Sequence, residues 1–277
     1  MLSPCSSQAG AGGLSKIRDD QDEGDRSLPR LWPRHTRRSD SPAPADAEPL
    51  PVWDCHCHIL PGLDDGPAGM DTALDMVRMA SAHGTRAMIA TPHAIQGLYG
   101  TRRPQVLRAL AELRQRCADH GLTVELYPGQ EVALTPDLAE RLAAGEILTL
   151  ADAGRALLVE LPQSGVPPYW TQAFFRLALD GVTPIVAHAE RTPLLGDPEL
   201  AARMIEHGAR LQINARVLRA GGRIRRTVRE WLRRDWVACV GSDGHDLGRR
   251  PPVLDEALRE RLHVPAIRAS LERPGVL

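Results

Sequence analysis

No apolar run in this chain approaches the ~20 residues that a membrane-spanning helix needs. No apolar segment with a small-residue cleavage site stands near Met1 either, so secretion is not expected. Cysteine is sparse and odd in number, five in 277 residues, which argues against a disulfide scaffold and for a reducing cytoplasm. Charge of one sign is not in excess: 34 lysines and arginines face 35 aspartates and glutamates, for a formal net charge of −1. That balance supplies no global field for nucleic acid or an anionic membrane surface. Lysine is nearly missing, Lys16 being the only one. Several catalytic signatures are absent as well. No cysteine has an arginine six positions later, and there is no P-loop, no Gly-x-Ser-x-Gly elbow and no dinucleotide fingerprint.

What is present is globular: 43% hydrophobic and 25% charged residues, enough apolar material for a sizeable core. Residues 1–49 are rich in Ser, Gly, Pro, Asp and Arg without apolar periodicity, and are expected to form a disordered arm. Beyond them, strand-like runs near Val52–His58, Arg86–Thr91, Thr123–Tyr127, Ala156–Leu161, Thr183–His188, Arg210–Asn214 and Trp236–Gly241 alternate with helical-period segments. The helices are expected near Asp71–His83, Pro104–His120, Pro136–Ala144, Tyr169–Asp180, Pro198–His207 and Arg223–Arg234, with a closing helix near Pro252–Leu262. Gly84, Gly121, Gly145, Gly181 and Gly208 each follow a last apolar position, where a left-handed cap suits glycine. Strand, helix, glycine, strand is the rhythm of a parallel α/β fold, and no composition break divides residues 50–277. One barrel-like domain is the economical expectation.

The first strand carries His56 and His58, whose spacing puts both imidazoles on one face, with Asp54 beside them. Cys55 and Cys57 fall on the other face and read as small packing residues against the helix layer. Later strands end in similar chemistry: His93, Glu131, Glu160, His188, and Asp243 with His245. In a parallel barrel these ends converge on one mouth, where active sites of such barrels are built. Gathering that many acids and imidazoles is costly unless cations neutralise them. In the loop after the first strand Asp65 can also reach the mouth, whereas Asp64 reads as an ordinary Asp-Gly turn residue. The nitrogen-rich set favours Mn²⁺, Fe²⁺ or Zn²⁺ over Mg²⁺ or Ca²⁺. His56, His58, Asp65, His93, Glu131, Glu160, His188, Asp243 and His245 exceed what one ion accepts, so two or three ions are expected. Clustered divalent ions are the apparatus of phosphoester hydrolysis. Arg191, three residues after His188, and Arg250, after His245, are placed to grip phosphate oxygens, while Arg249 reads as a solvated loop residue.

The run Asp54-Cys55-His56-Cys57-His58-Ile59-Leu60-Pro61-Gly62-Leu63-Asp64-Asp65-Gly66 resembles the opening of the polymerase-and-histidinol-phosphatase (PHP) superfamily. More narrowly, the chain is similar to bacterial tyrosine-protein phosphatases of capsule and exopolysaccharide operons. The supporting segments are Ala90-Thr91-Pro92-His93, Pro128-Gly129-Gln130-Glu131, Gly145-Glu146-Ile147-Leu148-Thr149-Leu150, Glu160-Leu161-Pro162, Gln212-Ile213-Asn214-Ala215, and Ser242-Asp243-Gly244-His245 with Arg250-Pro251-Pro252. The resemblance implies a distorted seven-stranded (β/α)7 barrel with a trinuclear manganese-type centre on those nine ligands. It also implies a metal-bridging hydroxide attacking phosphotyrosine, with Arg191 and Arg250 on the phosphate and His188 or water beside the leaving phenolate. The implied partner is the phosphotyrosine tail of a membrane-associated tyrosine autokinase. Relatives usually read His-Pro-Glu-Arg where this chain has His188-Ala189-Glu190-Arg191, and Ser-Asp-Ala-His where it has Ser242-Asp243-Gly244-His245. Neither departure touches a ligand, though Ala189 and Gly244 are expected to loosen the local backbone.

Two other readings compete. One is another phosphoesterase of the superfamily, acting on histidinol phosphate or a nucleotide; the other is a non-catalytic protein that keeps only the metal-binding mouth. Amidohydrolases that use a carbamylated lysine are excluded, since Lys16 lies in the arm. The stretch Arg216 to Arg234 holds eight arginines and only Glu230 as an acid, and reads as a solvated helix face with an acidic or phosphorylated partner as the alternative.

Overall fold

The computed structural model describes residues 52–254, so the arm expected over 1–49 and all but the start of the helix expected near Pro252–Leu262 lie outside the described residues. The strands are β1 (Val52–Cys57), β2 (Thr85–Ala90), β3 (His93–Ile95), β4 (Tyr99–Gly100), β5 (Glu125–Pro128), β6 (Glu131–Ala133), β7 (Ala156–Glu160), β8 (Thr183–Val186), β9 (Arg210–Asn214) and β10 (Val237–Gly241). The helices are α1 (Met70–Ala82), α2 (Arg103–Asp119), α3 (Leu138–Ala143), α4 (Trp170–Leu179), α5 (Pro198–Glu206) and α6 (Gly222–Arg233). Each helix presents an apolar stripe at the expected spacing. In α2 it is Val106, Leu110, Leu113 and Cys117, and Pro104 sits in the first turn, where no backbone N–H is missed. Asp197 caps α5, its carboxylate accepting the Leu200 N–H at 2.9 Å.

The strands form two sheets, ordered β1-β2-β5 and β10-β9-β8-β7-β6-β3-β4. Neighbours run parallel throughout, except that β4 folds back antiparallel on β3. This is an α/β fold. β2 and β5 correspond to the strands expected near Arg86–Thr91 and Thr123–Tyr127, and each run continues past a break into a short further strand that was not expected, β3 and β6. Pro92 has no N–H for a ladder, and Gly129 is where two chain segments nearly touch: a Cβ there would lie 2.8 Å from Ile89 Cγ2. The halves therefore serve different sheets, β2 pairing β5 and β3 pairing β6. β1 also meets β10, because the Asp243 N–H donates to the His56 carbonyl at 2.9 Å and the His58 N–H to the Gly244 carbonyl at 2.8 Å.

Three apolar clusters hold these layers. One joins β6 to β10 with α3 to α6, around Phe174 and Trp231. A second places α1 and α2 over β1 and β2 and contains Cys57. Cys55 belongs to a third, built from strand residues such as Ile89, Leu158, Ile185 and Cys239 with Leu150 of a short 3-10 turn, and none of α1 to α6 contributes to it. The expectation that both cysteines face the helix layer is thus corrected for Cys55. The cause is a register irregularity in β1 between Asp54 and Cys57, which breaks the strict alternation.

Glycine is required at position 241, where β10 packs on β1, and at position 244, where the chain beyond β10 packs on Pro252. A Cβ on Gly241 would stand 2.5 Å from His56 Cβ, and one on Gly244 would stand 2.6 Å from Pro252 Cα. Gly244 is therefore pinned, not loose: its N–H reaches Ser242 Oγ at 3.0 Å and its carbonyl accepts from His58. Gly241→Ala is expected to cost about 1–3 kcal/mol of stability by overpacking. A thermal melt should show Tm lowered by roughly 2–12 °C; an unchanged Tm would mean that β10 can move off His56 freely.

Candidate metal centre

The C-terminal ends of the parallel strands deliver the cluster. β1 supplies His56 and, one residue past its end, His58; Asp65 follows in the next loop. His93 and Glu131 stand at the breaks that split the two long strands, opposite each other in the β3–β6 pairing. Glu160 ends β7, His188 lies just past β8, and Asp243 and His245 follow β10. His188 (φ 31°) and Asp243 (φ 55°) both adopt left-handed backbone, uncommon for residues with side chains and typical of positions aimed at a site.

Glu131 is the hub. Its Oε2 lies 3.2 Å from His56 Nε2, 3.3 Å from His58 Nε2 and 3.1 Å from His93 Nδ1, and its Oε1 lies 2.8 Å from His188 Nε2. Asp243 Oδ1 is 3.7 Å from His56 Nε2 and also 3.7 Å from His245 Nδ1. Asp65 Oδ1 stands 3.6 Å from His93 Nε2 and 3.3 Å from His245 Nε2, and Glu160 Oε2 is 3.7 Å from His93 Nδ1. Three groups have donor atoms converging closely enough for one ion each: His58, Asp65, His93 and His245; His56, His58 and Glu131; and His93, Glu131 and Glu160. His58, His93 and Glu131 are shared between groups.

The outer hydrogen bonds decide what these imidazoles offer. Gln212 Oε1 accepts the His188 backbone N–H at 2.6 Å, so that atom is oxygen, and it lies 3.0 Å from His56 Nδ1. His56 therefore carries its proton on Nδ1. His58 Nδ1 lies 2.6 Å from Asp64 Oδ2, and His245 Nδ1 lies 2.8 Å from the Asp243 carbonyl. All three Nε2 atoms turn inward, where each can hold either a proton or, once deprotonated, a cation, the arrangement that orients histidines on metals. His56 Nε2 and His58 Nε2 are only 3.1 Å apart. Two lone pairs at that distance beside a buried carboxylate repel unless a cation or proton lies between them. His93 Nδ1 and His245 Nε2 make no hydrogen bond, although carboxylate oxygens stand 3.1 and 3.3 Å away, so neither nitrogen directs an N–H at the oxygen beside it.

The electrostatics agree. Burial works against a charged imidazole at His56, yet Glu131 and then Asp243 overcome it and push its pKa up to about 9. At His58 burial again opposes, and the hydrogen bonds to Asp64 and Glu131 carry it to about 10. Burial opposes ionisation of Glu131 as well, but His56 and His188 hold its carboxyl well below the usual range. Burial and the neighbouring His58 hold His245 down to about 4. A field that draws protons onto buried imidazoles draws a divalent cation by the same Coulomb attraction.

The nine expected residues are therefore brought together. Both expected arginines stand at the rim: Arg191 Nη1 is 2.7 Å from Asp243 Oδ2, and Arg250 Nη2 is 2.9 Å from Asp65 Oδ2. Four contributors were missed in the sequence. Asp64, read as a turn residue, does accept the Gly66 N–H at 3.0 Å, but its other oxygen holds His58 and the His93 N–H. Gln212 and Asn214, both fully buried on β9, hold His56 and Asp243, the latter through Asn214 Nδ2 at 3.0 Å. Their signal was legible: β9 is the strand with no acid or imidazole at its end, and two amides two residues apart share a buried face. Arg216, assigned to a solvated helix face, lies 3.5 Å from Asp243 Oδ2.

The family model for capsular polysaccharide synthesis, CpsB/CapC, matches residues 52–263, the span that contains every member of the cluster. The chain belongs to the CpsB/CapC family. It is 33% identical over 208 residues to the tyrosine-protein phosphatase YwqE of Bacillus subtilis, covering 74% of this chain and 82% of that relative. It is 28% identical over 214 residues to the tyrosine-protein phosphatase CpsB of Streptococcus agalactiae, covering 74% and 88% respectively. A structure from a study of B. subtilis YwqE and Streptococcus pneumoniae CpsB, described as metal-dependent tyrosine phosphatases, superposes with a TM-score of 0.72 at 31% identity, over 79% of this chain and 90% of that one. A CpsB/CapC chain with this cluster has both the fold and the donor set that a metal-dependent phosphatase requires.

Proposed function

We propose that this CpsB/CapC chain is a metal-dependent protein-tyrosine phosphatase acting in capsular or exopolysaccharide synthesis. The observation that carries the reading is the pair of inward Nε2 atoms of His56 and His58, 3.1 Å apart on the buried carboxylate of Glu131. His56, His58, Asp65, His93, Glu131, Glu160, His188, Asp243 and His245 would hold two or three divalent cations. Nitrogen-rich donors favour Mn²⁺, with Fe²⁺ or Zn²⁺ as the other fits. When bound, such cations supply Lewis acidity and lower the pKa of nearby water toward 7.

The chain's own residues do the rest. Arg191 and Arg250, held on the outer oxygens of Asp243 and Asp65, would turn their remaining N–H groups to the phosphate and orient it over the cluster. Asp64 and Gln212 keep His58 and His56 in one tautomer and so keep their lone pairs inward. His188, expected as ligand or acid, is proposed as a ligand, because a nitrogen engaged there cannot also release a proton. A phenol of pKa about 10 is a tolerable leaving group and takes its proton from solvent. For the fold we infer a distorted seven-stranded barrel, supported by counting β2 with β3 and β5 with β6 as one strand each, leaving out the antiparallel β4, and by the β1–β10 hydrogen bonds. The proposed partner is the phosphotyrosine tail of a membrane-associated tyrosine autokinase. No described helix is long and apolar enough to cross a membrane. A cytoplasmic setting is supported by four free, buried cysteines among the described residues.

The test is turnover of a phosphotyrosyl peptide against histidinol phosphate by Mn²⁺-loaded protein; faster histidinol phosphate cleavage would reassign the substrate. Asp64→Asn is expected to weaken Mn²⁺ activation by roughly 10–100-fold, read as the Mn²⁺ concentration for half-maximal rate. An unchanged midpoint would show that Asp64 only shapes its turn.

A further inference from the structure

Asp243 has an inner and an outer oxygen. Oδ1 faces the imidazoles, while Oδ2 meets three donors: Arg191 Nη1 at 2.7 Å, Asn214 Nδ2 at 3.0 Å and Arg216 Nη2 at 3.5 Å. Two guanidinium groups thus converge on one oxygen of an acid whose other oxygen already serves the cluster. Positive charge on that side exceeds what Asp243 neutralises. The Arg191 side chain is 38% exposed and that of Arg216 is 51% exposed, so both remain open to an incoming anion. One is accounted for by the phosphate; Arg216 is not.

Arg216 also begins a basic path. It lies in the turn over Ala215–Arg219 that leads from β9 into α6. Arg223, in the first turn of α6, reaches back to the Gly196 carbonyl at 3.1 Å, five residues beyond Arg191. Arg226 follows one turn further along the helix and is exposed. No acid occurs between Asn214 and Glu230. The helix buries Val228, Trp231 and Leu232 on its opposite side, so its basic side is left to solvent.

We propose that Arg216, continued by Arg223 and Arg226, is a docking path for negatively charged residues flanking the phosphotyrosine, making the enzyme selective for acidic or multiply phosphorylated peptides. The inference rests on the phosphatase reading above and adds a specificity determinant to it. Charge complementarity carries it: a near-neutral chain concentrates arginines on one stretch that has no acid in sequence between Asn214 and Glu230, and that stretch starts at the rim of the site. Arg216 acts there by contact with the flanking peptide, and its grip on Asp243 is released or shared when the peptide arrives.

The experiment compares kcat/KM for two phosphotyrosyl peptides of equal length, one with Asp and Glu flanks and one with Ser and Gln flanks, using Mn²⁺-loaded full-length protein. The expected preference for the acidic peptide is on the order of tenfold at low salt, expressed mainly in KM and shrinking with added salt. Arg216→Gln should reduce the ratio toward one, Arg216→Lys should restore most of it, and Arg223→Gln should reduce it partially. If Arg216 merely steadied Asp243, Arg216→Gln would lower both peptides equally and leave the ratio at its wild-type value, which overturns the proposal. A wild-type ratio near one overturns it while leaving the phosphatase reading intact; absence of any aryl phosphate hydrolysis removes both. Sedimentation of the protein with anionic phospholipid vesicles, lost in Arg216→Gln, together with a peptide ratio of one, would assign the path to a membrane surface instead.

Discussion

Glu131→Gln is expected to lower phosphotyrosyl turnover by roughly 10³-fold while leaving the fold in place. The side chain keeps its volume and loses only its charge. That charge faces four imidazoles at once, those of His56, His58, His93 and His188, from a position with no solvent exposure. Bound cations supply transition-state stabilisation of several kcal/mol, and losing about 4 kcal/mol of it corresponds, at about 1.4 kcal/mol per decade, to roughly three decades in rate. The amide also introduces N–H donors where inward lone pairs converge, so the cation complement should fall with the activity. Metal analysis of the purified variant beside a rate measurement checks both. Full metal content with near wild-type turnover would show that the cations do not depend on the Glu131 charge.

Exhaustive chelation should abolish activity and lower thermal stability together. The inward nitrogens and carboxylates were assembled at the expense of water, and without cations only protons can compensate them. Ligand-linked stabilisation of about 3 kcal/mol is expected at a cation concentration ~100 times the dissociation constant. For a domain of this size that corresponds to roughly 6–12 °C in Tm. Mn²⁺ should restore both the rate and the melt, and Mg²⁺ should do so poorly, because hard cations favour oxygen over imidazole. The scheme fails if the chelated protein keeps its full rate, or if Mg²⁺ restores it as well as Mn²⁺.

Most of the cluster could be read from the order of residues because parallel strands impose a rule. Whatever stands at their C-terminal ends converges, so the positions of His93, Glu131, Glu160, His188 and Asp243 relative to strand ends were sufficient to group them. Period-two alternation likewise placed His56 with His58. The same rule misjudged Cys55, because a register irregularity within β1 is set by its two neighbouring strands and leaves no mark in the residues themselves. It also misjudged the strand count. Pro92 and Gly129 are visible in the chain, but that the halves they separate pair in different sheets depends on where β5 and β6 lie.

The supporting residues were harder to find, since their roles arise from partners distant in the chain. Asp64 looks like a turn residue and is one; that its second oxygen fixes His58 follows only from how the loop folds back over β1. Gln212 controls a histidine 156 positions away. Gly244 was expected to bring slack and instead fits against Pro252.

Residue order alone thus settled the fold class, the nine clustered side chains and the metal-dependent chemistry they suit, because strand periodicity and strand ends are local properties. Tautomers, the outer oxygen of Asp243 and the place of Arg216 beside it came only with the folded chain. Hydrogen bonds are short and directional, and whether two groups far apart in sequence meet within 3 Å is decided by packing.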